Sequence, residues 1–125
     1  MILTFLGAIL LSRPEVYGWA HGSPPPSSPS EIDLIRRSTN NLAAVEMALG
    51  SLAEAESILL PLVAEAPGYA DALTNLGTVY HRRSRATGEP RWLDAAVVYY
   101  RRALAVEPWH REARDNLAVA MEDGR

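Results

Sequence analysis

The sequence predicts an all-α fold: a short α-solenoid of antiparallel helix pairs, about two and a half repeats long, with an N-terminal apolar segment. Three observations carry this. The composition is rich in Ala, Leu and Val with a single Phe, which suits closely packed helices. From residue 31 onward, apolar residues recur at the three-to-four spacing of one helix face. Finally, Asn41-Leu42 returns as Asn75-Leu76, 34 residues later, and as Asn116-Leu117 after a further 41. Periods in this range mark stacked helical repeats.

Size and charge narrow the functions. With 125 residues the chain holds one small domain. It has no cysteine, so disulfides, thiolate metal sites and cysteine nucleophiles are excluded. A net charge of −3 does not by itself point to nucleic acid or an acidic surface. All twelve basic residues are Arg. This fits a compositional bias toward Arg and Ala, and equally a use of Arg for bidentate pairing with carboxylate or phosphate.

The chain divides into an apolar segment at 1–20, a linker at 21–30 and a helical domain at 31–125. Met1 to Leu11 is apolar apart from Thr4 and Gly7, and Arg13-Pro14-Glu15 ends the run. It is shorter than the roughly 20 residues a helix needs to cross a bilayer. It has the length of a signal-peptide core, and Gly18-Trp19-Ala20 offers a small-x-small cleavage arrangement, although no Arg or Lys precedes the run. Three readings stay open: a signal peptide, an uncleaved anchor or docking segment, and a misassigned start. As a membrane or docking segment it would act through Ile2, Leu3, Phe5, Leu6, Ile9, Leu10 and Trp19. The first two readings place the protein in a membrane-associated or exported setting (the periplasmic side, if bacterial); the alternative is cytoplasmic. His21 to Ser30 is Pro/Ser-rich and reads as an extended spacer, with Pro26-x-x-Pro29 as a minor ligand motif.

In the helical domain, Ser30 is expected to cap a first helix whose inward face is Ile32, Ile35, Leu42, Val45 and Leu49. Gly50-Ser51 breaks it. A second helix from about Leu52 to Ala66 turns Ala55, Ile58, Leu59, Leu62 and Val63 inward, with a kink expected near Ser57 to Pro61. Pro67-Gly68 closes the unit. Ala55 to Ala96 and Pro67 to Pro108 are both 41 residues apart, so the second unit holds seven more residues than a 34-residue period. Glu46 to Ala55 spans nine residues and Tyr80 to Ala96 sixteen, which puts the extra residues in His81–Trp92, between the two helices. Gly88 and Pro90 mark a turn there, led into by a lengthened first helix. Trp92 and Trp109 are expected to pack beside it, with Tyr99 more exposed than Tyr100. Trp109 to Asp123 reads as the first helix of a third unit lacking its partner. Ala113, Leu117, Ala118 and Met121 form its apolar face, and a polar outer side suits an end cap.

Leu76-Gly77-x-x-Tyr80, then Ala96-x-x-x-Tyr100, Ala103 and Pro108, resembles the tetratricopeptide-repeat family over about residues 36–123. The first unit keeps Leu42, Ala43, Ala55 and Pro67, with Glu46 and Leu59 where aromatics are usual. The family's Trp position holds Thr39, Leu73 and Arg114. The resemblance implies a non-enzymatic protein–protein interaction scaffold or accessory subunit that docks on another protein or a subunit of a larger complex. Its ligand groove would be lined by the first helix of each pair, with Asn41, Asn75, Thr78, Arg82 and Asn116 as contacts. An amide both donates and accepts, so Asn can grip an extended peptide backbone; it can also bond within the repeat. Asn40, Thr74 and Asp115 stand where a carboxylate clamp would need cations, so none is expected.

The basic cluster Arg82, Arg83, Arg85 and Arg91 reads either as an acidic-partner or headgroup site or as a solvated loop with local ion pairs. It lacks the interleaved aromatics of single-strand binding, so no nucleic acid is expected; the alternatives kept are an exported peptide-binding adaptor and, with less support, an anionic-ligand or nucleic-acid-binding accessory module using this cluster. His21, His81 and His110 look isolated. No metal, cofactor or catalytic set is expected. Burial that so short an array lacks can come from a partner, from membrane contact at the N-terminus or from self-association.

Overall fold

The computed structural model describes residues 28–125. The apolar segment, its residues Ile2, Leu3, Phe5, Leu6, Ile9, Leu10 and Trp19, and nearly all of the linker lie outside the described residues. The described chain is all-helical and has five helices: α1 (Pro29–Ala48), α2 (Leu52–Glu65), α3 (Ala70–Thr87), α4 (Pro90–Val106) and α5 (Arg111–Asp123).

Each start and stop has a local cause. Ser28, not Ser30, caps α1: its hydroxyl accepts the Glu31 N–H at 3.2 Å. Pro29 decides this, because its fixed φ and missing N–H suit the first helical position, so the cap falls just before it. Gly50, at φ 80°, closes the turn into α2. α2 runs unbroken through Pro61, which lies on the exposed side of the helix, so its ring crowds no packed neighbour. The His81–Trp92 region is not a loop. α3 continues to Thr87, Gly88 ends it in the left-handed conformation, and Pro90 starts α4. Arg and Ala are good helix formers, so the seven extra residues lengthen the two helices and leave only Gly88 and Glu89 between them.

Each helix packs against its chain neighbours, and α1 also meets α3 and α3 meets α5. This repeat-like packing is compatible with an α-solenoid. The α2 face is as expected: Ala55, Ile58, Leu59, Leu62 and Val63 are all buried. The terminal helices differ from expectation. In α1 the buried residues are Asn40, Ala43 and Met47; Ile32, Ile35 and Leu42 are half-buried, while Val45 and Leu49 are exposed. In α5 they are Ala113 and Ala120, with Leu117 half-buried and Ala118 and Met121 exposed. A terminal helix is covered on one side only, so periodicity alone also counts apolar residues that nothing in the described chain covers.

The tightest contact joins α3 to α4. Tyr100 is fully buried, and its ring fills the space beside Gly77. Among the described residues, no helix is long and apolar enough to cross a membrane.

Candidate interaction surface

The odd-numbered helices are stitched together by polar side chains. Asn75 Nδ2 donates to Asn40 Oδ1 on α1 at 2.9 Å. Thr78 donates to the Thr74 carbonyl at 3.1 Å, so its oxygen is left to accept from the Tyr100 hydroxyl at 3.1 Å and from Asn116 Nδ2 at 3.4 Å. Burial pushes the Tyr100 phenol above its ordinary pKa. Arg82 Nη1 donates to the Met47 carbonyl at 2.8 Å, a second donor to an oxygen in the last turn of α1 that already accepts the Gly50 N–H at 3.0 Å. Thus Asn75, Thr78, Arg82 and Asn116 are brought together along one seam, each holding a bond within the chain. Asn41 is exposed on α1, away from that seam.

Two further clamps join these helices. His110 caps α5: its Nδ1 accepts the Ala113 N–H at 3.1 Å. The ring proton therefore sits on Nε2, which donates to Asp71 Oδ1 at 2.6 Å. His81, buried on α3, donates from Nε2 to Asp123 Oδ2 at 2.6 Å, and Arg85 Nε reaches the same oxygen at 2.8 Å. Arg85 and His81 pull the Asp123 carboxyl down to a pKa of about 2. His81 and His110 therefore each hold a carboxylate on another helix, while His21 lies outside the described residues. His81 and Asp123 are 42 residues apart, and Asp71 and His110 are 39 apart. A separation of about one repeat is the signal that could have paired them.

The other cations of the cluster are also engaged. Arg83 reaches Glu56 Oε1 with Nη1 and Nη2, both at 3.2 Å, and lies over the Trp92 ring at 4.7 Å. Trp92 stacks on Tyr80, with ring centroids 5.7 Å apart and planes 7° apart. Arg91 covers Trp92 at 4.5 Å and pairs with Glu89 at 2.7 Å. Burial, and then the Glu56 side chain it bonds, push the Tyr80 phenol well above its usual range. Trp92 packs as expected, and Tyr99, tilted against Tyr80 at 5.6 Å, is half-buried and so more exposed than Tyr100, also as expected. Trp109 does not pack: it is 75% exposed in the turn between α4 and α5.

A shallow cleft of about 510 Å³ lies between the α3–α4 turn and the end of α5, lined by Arg85, Gly88, Leu93, Asp94, Asp123 and Gly124 among others. Its central charges, Arg85 and Asp123, are already paired. Among the described residues, no group of three or more His, Asp or Glu side chains is arranged to hold a metal ion. The chain matches no protein-family model and no curated protein.

Proposed function

We propose that this chain is a non-enzymatic, tetratricopeptide-like α-solenoid that docks on another protein, as a scaffold or accessory subunit in a membrane-associated complex. One observation carries the reading. Next-but-one helices meet on the odd side, α1 with α3 and α3 with α5, and no comparable contact joins α2 to α4. Helices that approach more closely on one side curve the stack toward that side. A curved surface lined by α1, α3 and α5 is the form of an extended binding groove. Along it, the seam from Asn40 through Asn75 and Thr78 to Asn116 supplies donors and acceptors, with exposed Ala44 and Arg82 beside it.

The rival reading, an anionic-ligand module built on the Arg cluster, has less support. Arg83, Arg85 and Arg91 each pair with a carboxylate within the chain, and Arg82 donates to the Met47 carbonyl. The test is purification of the full chain in mild detergent, with identification of copurifying proteins, repeated for Ala44→Arg. Ala44 is exposed and bulk there leaves the core alone. A specific partner lost in the variant supports the groove; a partner retained at full yield removes it.

A further inference from the structure

α1 carries an uncovered apolar stripe. Leu34, Val45 and Leu49 are 58%, 53% and 73% exposed. At 100° per residue they fall with Ser38 and Asn41 on the side opposite the buried Asn40, Ala43 and Met47. The internal repeat says what this side is for. Val45 corresponds to Val79 in α3 and to Ala120 in α5, and both are 0% exposed. Ser38 corresponds to Ala72 and Ala113, also fully buried. In α3 this side faces backward: Asn75, beside Val79, bonds α1, whereas Gly77, across the helix, meets Tyr100 of α4. Asn116 likewise bonds backward, to Thr78. Asn41 is the copy of these asparagines with no helix behind it among the described residues. The stripe on α1 is thus the seat of an element that precedes α1.

We propose that the occupant is the chain's own apolar run, Met1–Leu11, folded back onto Leu34, Val45 and Leu49. Elements consecutive in sequence usually pack together, and this run is the apolar stretch immediately before α1. It is apolar nearly throughout, so any side of it suits the stripe. Residues 12–27 connect it to Ser28. Sixteen residues (27 − 11) reach about 50 Å when extended, against about 30 Å for the whole of α1. The tether gives the run an effective concentration on the order of millimolar, so a modest apolar contact is enough to hold it. This inference does not depend on the groove.

Because the chain has no cysteine, paired cysteines read the contact directly. Leu6→Cys/Val45→Cys and Ile9→Cys/Val45→Cys would be oxidised as full chains at low protein concentration without lipid, with Leu6→Cys/Val98→Cys as control, since Val98 is a comparably exposed valine on α4. The expected product is an internally crosslinked monomer in a Val45 pair, in clear excess over the control. A disulfide-linked dimer as the main product would assign the stripe to a second copy and overturn the proposal. Reduced monomer in both Val45 pairs would overturn it in favour of a foreign partner or a membrane. Deleting residues 1–11 provides a cysteine-free check: dye binding to apolar surface should rise with helicity unchanged, and Val45→Ser should reverse the rise. Dye binding that does not change on deletion would also overturn the proposal.

Discussion

Gly77 lies so close to Tyr100 that a methyl group on its Cα would stand 2.6 Å from the ring's Cε1 and 2.7 Å from Cδ1. The ring cannot swing away, because Tyr100 is fully buried and its hydroxyl is tied to Thr78. Glycine normally weakens a helix interior by about 1 kcal/mol relative to alanine. Here that loss permits the α3–α4 approach. Gly77→Ala should therefore destabilise despite its better helix propensity, by about 1–2 kcal/mol once the upper part of the overpacking range, about 2–3 kcal/mol for so short a contact, is set against a propensity gain of about 1 kcal/mol. Urea unfolding measures this; a variant as stable as the parent would show that the helices can part at no cost.

The Asp123 clamp makes the end of α5 sensitive to acid. Its folded-state pKa of about 2 lies below the ordinary carboxyl value of 3.8. A depressed carboxyl contributes stability that is present above the unfolded value and lost as pH falls through the folded one. The expected loss begins below about pH 5 and is complete only near pH 1, below both values. It should appear as faster amide exchange over the last turn of α5 before the core opens. Asp123→Asn should show that fast exchange already at neutral pH and a flatter acid response.

Arg83 should matter more through its stem and plane than through its charge. Its side chain is 18% exposed and its Glu56 partner 24%, so the pair is largely withdrawn from water. The guanidinium also covers Trp92. Arg83→Ala would leave Glu56 without this partner and uncover the Tyr80–Trp92 stack, at a cost of about 1–2 kcal/mol. Arg83→Met keeps the apolar cover and loses the charge. Thermal unfolding of both should place Met between the parent and Ala; Met falling at or below Ala would mean the ion pair dominates.

These positions show what the sequence made legible. Every inward residue of α2 was readable from period alone, because α2 is covered by α1 on one side and α3 on the other. The same rule overcounts at the ends of the described chain, where Val45, Leu49, Ala118 and Met121 have the right spacing and no neighbour among the described residues to cover them. The seven extra residues were visible by arithmetic, but their structure depended on where Gly88 and Pro90 stop and start helices. The Arg cluster was legible as charge and not as contact. Arg82 goes to a carbonyl on α1, Arg83 to a carboxylate on α2 and Arg85 to one on α5, and such partners are set by packing rather than by local sequence.

His110 is the test of whether a histidine in this turn is a charge or a cap. Its Nδ1 satisfies the Ala113 amide in the first turn of α5, and its Nε2–H ties that turn to Asp71 near the start of α3. Losing a cap costs about 1 kcal/mol, while a bond to an exposed carboxylate, 62% accessible here, adds at most about 1 kcal/mol. His110→Ala removes both and should cost about 1–2 kcal/mol. His110→Asn keeps a capping oxygen but is too short to reach Asp71, so it should lose less than half as much. Amide exchange at Ala113 separates the two effects: fast in the Ala variant and near-parental in the Asn variant if the cap carries the contribution. Equal destabilisation by both, with Ala113 protected in neither, would instead make the Asp71 bond the one that holds α5 in place.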